Sequence, residues 1–201
     1  MTKITAAITT SVDGYVTGPN DGPAQGLGEA GERLHYWVMG GPWTYDDEGR
    51  GEATGEDAAW LSEKFGRAGA IVGGRTTYEA ARHWGDKNPF GVPFFIVTHR
   101  PDEEPGTGEF TFVSGVREAV ERAAAAAGEK DVNIMGGADV IRQALEAGLV
   151  DELSIIVAPV VLGGGKRLFE DFTDSLELEH LGVSQSRYAT FIDYRVKRGR
   201  P

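Results

Sequence analysis

Residues 68–79, Ala-Gly-Ala-Ile-Val-Gly-Gly-Arg-Thr-Thr-Tyr-Glu, hold the residue types and spacing that point most directly to chemistry. The apolar run Ala70, Ile71, Val72 is too short for a helix and predicts a buried strand. It runs into Gly73-Gly74, after which Thr76 and Glu79 have the T-x-x-E spacing of a capping box that opens a helix. Strand, glycine turn and helix start together present backbone N–H groups at the positive end of a helix dipole. Such a place binds anions, phosphate above all. Arg75 lies within the turn, where a planar guanidinium grips a phosphate by two parallel bonds. The same residues also read as an ordinary strand-to-helix turn with a surface arginine, because neither G-x-G-x-x-G nor G-x-x-x-x-G-K followed by Ser or Thr occurs.

The elements that must position this turn follow from periodicity. Ile4 to Val12, rich in Thr and Ile, predicts a first strand, and Asp13-Gly14 a turn after it. Gly18 to Gly55 holds ten glycines among Asp, Glu, Pro and Asn, too many for regular structure. One island, Leu34 to Val38, predicts a short helix there, and Trp37, Trp43 and Tyr45 mark the long loop as functional rather than disordered. A helix is expected over Glu56 to Phe65, and the capped helix over Thr76 to Trp84. Phe94 to Val97 is a continuous apolar strand ending in Thr98-His99-Arg100, with Pro101 blocking a helix. Phe110 to Val113 is a short strand, Ser114 an N-cap, and Val116 to Ala127 a helix stopped by Gly128. A second strand–glycine–helix unit runs from Val132 to Met135 through Gly136-Gly137 into Ala138 to Ala147. Leu153 to Val161 is a further strand, and Leu176 to Gln185 with Tyr188 to Val196 a closing antiparallel hairpin.

This alternation predicts an α/β fold in a single domain over residues 1–201, with a mainly parallel sheet, helices on both faces and right-handed crossovers. Both Gly-Gly turns and Thr98-His99-Arg100 then fall at carboxyl ends of strands, the edge where open α/β sheets bind ligands. Three anion-suited clusters along one edge match a dinucleotide.

Composition narrows the partners. A net charge of −11 argues against indiscriminate binding to nucleic acid or anionic membrane, so any phosphate must be held by a local positive site. The chain has no cysteine, which excludes disulfides and fits a reducing cytoplasm. No stretch reads as a signal peptide or reaches the roughly 18 apolar residues of a membrane helix. The four histidines lack ligand spacing, so no metal site is expected.

With these segments in hand, the chain resembles the dihydrofolate reductase-like family, in particular the branch containing the reductase domain of riboflavin biosynthesis. The likeness is carried by Ser11-Val-Asp-Gly-Tyr-Val, Val72-Gly-Gly-Arg-Thr-Thr-Tyr-Glu and Met135-Gly-Gly-Ala-Asp. It continues in Gly148-Leu-Val-Asp-Glu-Leu, in Pro159-Val-Val-Leu-Gly-Gly-Gly and in Leu168-Phe169. The resemblance implies an NADPH site. Gly73, Gly74, Arg75, Thr76 and Thr77 would approach the adenosine-side phosphates, with Arg75 near the 2′-phosphate. Thr98, His99 and Arg100 would line the adenine and 2′-phosphate region. Met135, Gly136, Gly137, Ala138 and Asp139 would cradle the pyrophosphate, and Thr9 and Val16 would meet the nicotinamide amide through backbone groups.

The substrate half departs from that pattern. Dihydrofolate reductases carry a carboxylate on the short helix after the first loop, and lining up Glu32-Arg-Leu-His-Tyr-Trp places Arg33 there. Asp13 is the first candidate for a polar substrate contact, or else an Asx-turn cap of its Asp-Gly bend. Glu32 and His35 are further catalytic candidates, and Trp37 and Pro159 candidate substrate contacts. The expected activity is NADPH-dependent hydride transfer to a small pterin-, pyrimidine- or flavin-related heterocycle. Alternatives are a flavin reductase and a non-catalytic nucleotide- or flavin-binding module, and the branch implies a homodimer. The basic tail Arg195, Lys197, Arg198 and Arg200 reads as a solubilising end.

Overall fold

The computed structural model describes residues 2–47, 51–103, 108–173 and 175–197, so Arg198 and Arg200 of the basic tail lie outside the described residues. Eight strands form one sheet: β1 Ile4–Thr10, β2 Ala68–Gly74, β3 Phe94–Val97, β4 Thr111–Val113, β5 Asp131–Ile134, β6 Glu152–Val157, β7 Glu177–Gln185 and β8 Thr190–Lys197. Their spatial order is β4-β3-β2-β5-β1-β6-β8-β7. The first six are mutually parallel, β8 runs antiparallel to β6, and β7 closes the sheet as the predicted hairpin. Four helices connect them: α1 Gly55–Gly66, α2 Arg75–Ala80, α3 Val116–Ala127 and α4 Ala138–Glu146.

Strand periodicity sorts the core into two faces. Along β2, Ala70 and Val72 point into the cluster built by α3 and α4, while Ile71 points to the opposite side, where Tyr78 of α2 packs among Phe94, Ile96 and Phe110. Every residue of β2 is buried, which explains its unbroken apolar composition. On the second face, Trp60 of α1 stacks on Phe191 of β8 at a ring separation of 4.9 Å. Burial of each such large side chain contributes about 1.5–3 kcal/mol. Among the described residues no helix is long and apolar enough to cross a membrane.

Two expected caps are not formed. Gly74, extended at ψ 156°, is the N-cap of α2, so the helix begins at Arg75 and Thr76 falls one position inside it. Glu79 then lies four residues after Arg75 and accepts its Nε at 2.8 Å instead of completing a capping box. The helix is also shorter than expected, because Arg82, His83 and Trp84 turn left-handed. At α3 the N-cap is Gly115, not Ser114. The aromatic island forms a 3-10 turn over Gly31–His35, three residues earlier than its apolar residues suggest.

Candidate active site

The carboxyl ends of the parallel strands lie along one edge of the sheet, the rim. The ends of β3, β2 and β5 are neighbours in the sheet, so the three anion-suited clusters lie side by side. The Gly74 N–H donates to the Gly136 carbonyl at 2.9 Å, fastening one glycine turn to the other. A Cβ on Gly73 would sit 3.0 Å from the Phe94 ring, and one on Gly74 3.1 Å from Val140, so a side chain at either position of this turn would crowd its neighbour. Gly136 has φ +119°, and the Gly136–Gly137 peptide bond is cis. Thr77 of α2 reaches across with Oγ1 3.2 Å from where a Cβ on Gly137 would stand. Neither α2 nor α4 receives a side-chain cap, so their first N–H groups face the rim without one.

Arg75 links this pair of turns to the third cluster. Its Nη1 lies 3.5 Å from Thr98 Oγ1, which also accepts the Arg100 N–H at 3.3 Å. Thr98 is buried, whereas His99 and Arg100 are exposed. Asp139 turns its carboxylate toward Gln143, at 2.7 Å, and Arg142, at 3.4 Å, which leaves its backbone and that of Ala138 to face the rim. Met135 is tied to the sheet by its N–H to the Val72 carbonyl and packs partly against the Phe94 cluster.

β1 divides the rim from a second site. Its ladder with β5 ends at Ala6, while its ladder with β6 continues to Thr10. The Lys3 carbonyl bonds toward β5 and the Ile4 carbonyl toward the β6 side, so by alternation Thr9 directs its backbone amide to the β5 side, beyond the last paired residue. Thr9 Oγ1 accepts the Trp37 indole N–H at 3.0 Å. Val16 fits its expected role less well, because its N–H already donates to the Lys166 carbonyl at 2.8 Å.

On the β6 side opens a cleft of about 270 Å³ lined by Arg33, Tyr36, Pro159, Val160 and Tyr188. Pro159, expected from the sequence as a substrate contact, lines this cleft. Trp37 does not: it is only 5% exposed and enclosed edge-to-face by Trp60 and Phe191, so neither ring face is left for a substrate.

The three expected catalytic residues sit in different surroundings. Asp13 accepts from Ser11 Oγ at 2.7 Å, Leu162 N at 3.1 Å and Gly163 N at 2.8 Å. The Ser11 bond chiefly, with the two N–H groups, lowers its pKa to about 2 against some desolvation. It is a fixed anion clamping the first loop to the glycine triplet, not a proton donor. Glu32 receives the Trp43 indole on its carbonyl, and its charge acts on Tyr45, which holds Leu27. Burial lowers the His35 pKa from 6.5 to about 4, so the ring is neutral at physiological pH.

That burial predicts an acid-sensitive stability. The unfolded imidazole takes a proton below 6.5 and the folded one only near 4, so stability is lost as pH falls through this window. The ceiling is about 3 kcal/mol, since the ring keeps some solvent contact. Urea midpoints at pH 7.5 and 4.5 should differ less in His35→Gln than in the wild type.

A further carboxylate, which the sequence reading passed over, is buried near the same edge. α1 leads through Arg67 into β2, so its first turn lies at the same carboxyl edge. Asp57 in that turn is 4% exposed, and its Oδ1 has no hydrogen-bond partner. Desolvation raises its pKa, with Glu56 adding to the effect and a hydrogen bond from Ser186 opposing it. Ser186 belongs to the β7–β8 turn and accepts the N–H of Tyr188, a residue of the cleft, at 3.0 Å. Asp57 and Trp60, three apart, share the inward face of the helix. An acid on the buried stripe of an amphipathic helix was the available signal.

The chain is 28% identical over 145 residues, 71% of its length and 82% of the relative's, to the uncharacterized protein YwjB of Bacillus subtilis. A 50-residue stretch is 44% identical to YyaP of the same organism and spans only 27% of that protein. A Shewanella sp. PV-4 protein ascribed to riboflavin biosynthesis superposes with a TM-score of 0.71 at 22% identity, over 98% of this chain and 99% of that one. A pyrimidine reductase-like protein from Corynebacterium diphtheriae gives 0.62 at 19%, over 98% and 93%. Dihydrofolate reductase from Enterococcus faecalis, complexed with NADP(H) and RAB-propyl, gives 0.60 at 17%, over 98% and 97%. These three share the fold. The model of the RibD C-terminal domain matches residues 2–189, so the chain belongs to that family.

Proposed function

We propose that this protein is an NADPH-dependent reductase of a small flat heterocycle. The observation that carries the reading is the convergence of Gly74, Gly136, Thr77, Arg75 and Thr98 on one rim, fastened by the 2.9 Å bond between the glycine turns. Bare glycine backbone at two helix starts and a guanidinium at one end suit two phosphates and a third. NADPH, when bound, supplies the hydride. Gly136, Gly137 and Ala138 hold the pyrophosphate, Arg75, Thr98, His99 and Arg100 take the adenosine end, and the Thr9 backbone orients the nicotinamide amide. Asp57 binds the substrate ring and delivers the proton that balances the hydride. Asp13 keeps the first loop closed over the site by its three hydrogen bonds.

Thermal shift tests the reading directly. NADPH at a hundredfold excess over Kd should raise the Tm by on the order of 5–10 °C, and NADH or FMN at equal concentration by clearly less. A chain that responds to FMN but not to NADPH is not this enzyme.

A further inference from the structure

Five consecutive residues shortly after α2 reverse its hand. Arg82, His83, Trp84, Gly85 and Asp86 have φ of 49°, 57°, 49°, 66° and 59°, so a left-handed turn follows the right-handed helix. Four of the five carry a Cβ, which in this conformation crowds the following carbonyl and costs free energy at each step. The stretch from Thr76 to Trp84, with Ala80, Ala81 and Arg82 in it, favours a right-handed helix instead. Something outside the backbone must therefore hold the turn.

Aromatic packing does so. His83 lies flat on Tyr78, with ring centroids 4.4 Å apart and planes at 19°. Trp84 meets Phe94 at 5.2 Å and stacks on Phe110 at 6.0 Å, while Tyr78 meets the same Phe110 edge-on at 5.1 Å. A right-handed continuation forbids this, because on a helix His83 would point about 140° and Trp84 about 120° away from Tyr78. The reversal of hand is what brings all three rings to one cluster.

The helix so gripped is the one that carries Arg75 and Thr77. It has six residues and no side-chain cap, too few for its own hydrogen bonds to fix it in place. Tyr78 is its single buried residue, and Arg75 lies about one turn earlier. Any rotation of Tyr78 in its socket therefore carries along the guanidinium, whose Nη1 is 3.5 Å from Thr98 Oγ1. Arg82 and His83 are exposed, so the turn closes that socket from the solvent side.

We propose that the left-handed turn is a clasp on Tyr78 that orients α2, and that His83 and Trp84 are positioning residues for the anion-binding guanidinium of Arg75. This rests on the reductase reading for the identity of the anion, the 2′-phosphate of the coenzyme.

Adenosine 2′,5′-diphosphate, which presents that phosphate without the nicotinamide, is the probe on the full chain. His83→Ala and Trp84→Leu should each weaken it roughly 3- to 10-fold, and His83→Phe, which keeps a flat ring on Tyr78, should restore it. In an Arg75→Ala background neither substitution should weaken it further, since a positioning residue acts only through the group it positions. Losses that persist undiminished in that background, or a His83→Ala variant that binds as the wild type does, would overturn the proposal. Melting temperature tests the turn without any ligand. Arg82→Gly should raise the Tm by roughly 1–3 °C, because glycine escapes the left-handed cost. In a right-handed helix the same change lowers it by roughly 2–4 °C, and such a fall also overturns the proposal. Should the wild type not bind the probe, the coenzyme reading of Arg75 falls, and the clasp is decided by the Arg82→Gly shift alone.

Discussion

Asp57→Asn should lower hydride transfer by about 100- to 10,000-fold at neutral pH and at the same time raise the melting temperature. The two effects share one cause. Burial raises the Asp57 pKa above its ordinary 3.8, so above that value the folded chain bears the cost of an ionised carboxylate out of water. The unfolded chain bears none, and stability from this group therefore decreases as pH rises through the folded pKa. Asparagine keeps the shape and the Ser186 contact while removing the charge. For the same reason wild-type turnover should be fastest on the acid side, where more of the enzyme holds the proton it donates. Single-turnover oxidation of NADPH with the acceptor that the wild type reduces, followed from pH 5.5 to 8, separates the possibilities. A variant that loses stability together with activity removes Asp57 from the chemistry.

The second large effect is expected at Arg75. A charge-assisted hydrogen bond contributes roughly 1.5–3 kcal/mol, so Arg75→Ala should weaken NADPH about 10- to 100-fold and leave NADH almost unchanged. Glu79 holds the guanidinium at 2.8 Å, yet with side chains 30% and 43% exposed this pair is worth at most about 1 kcal/mol. A dianionic 2′-phosphate bound there would outcompete it. Glu79→Gln should accordingly tighten NADPH slightly, by removing the rival acceptor. Titrations of both coenzymes against both variants decide the matter, since equal losses for NADPH and NADH in Arg75→Ala would mean that the arginine does not read the 2′-phosphate.

The parallel half of the sheet was legible because strands covered on both faces must be apolar throughout, as β2 and β3 are. The glycine turns were legible because helix starts that approach backbone to backbone tolerate no Cβ. The capping box misled, since the T-x-x-E pattern is satisfied equally by an i,i+4 pair that begins one residue earlier. Asp57 stayed hidden for a related reason. An acid in the first turn of a helix is what the helix dipole favours on any surface, and only burial distinguishes this one. Arg33 was noticed only as the wrong residue in an acid's place, because the cleft it lines is completed by neighbours from distant segments. Asp13 was noticed as polar, but its three donors come partly from residues about 150 positions away in sequence.

The position of β1 at the centre of the strand order has a consequence for how such proteins diversify. The glycine turns and the cluster beside them come from residues 73–77, 98–100 and 135–139, whereas the cleft is lined by Arg33, Tyr36, Pro159, Val160 and Tyr188. No stretch serves both, and the strand between them touches each with a different side of its backbone. Substitutions in the second set can therefore reshape the cleft while the glycine turns on the other side of β1 stay as they are.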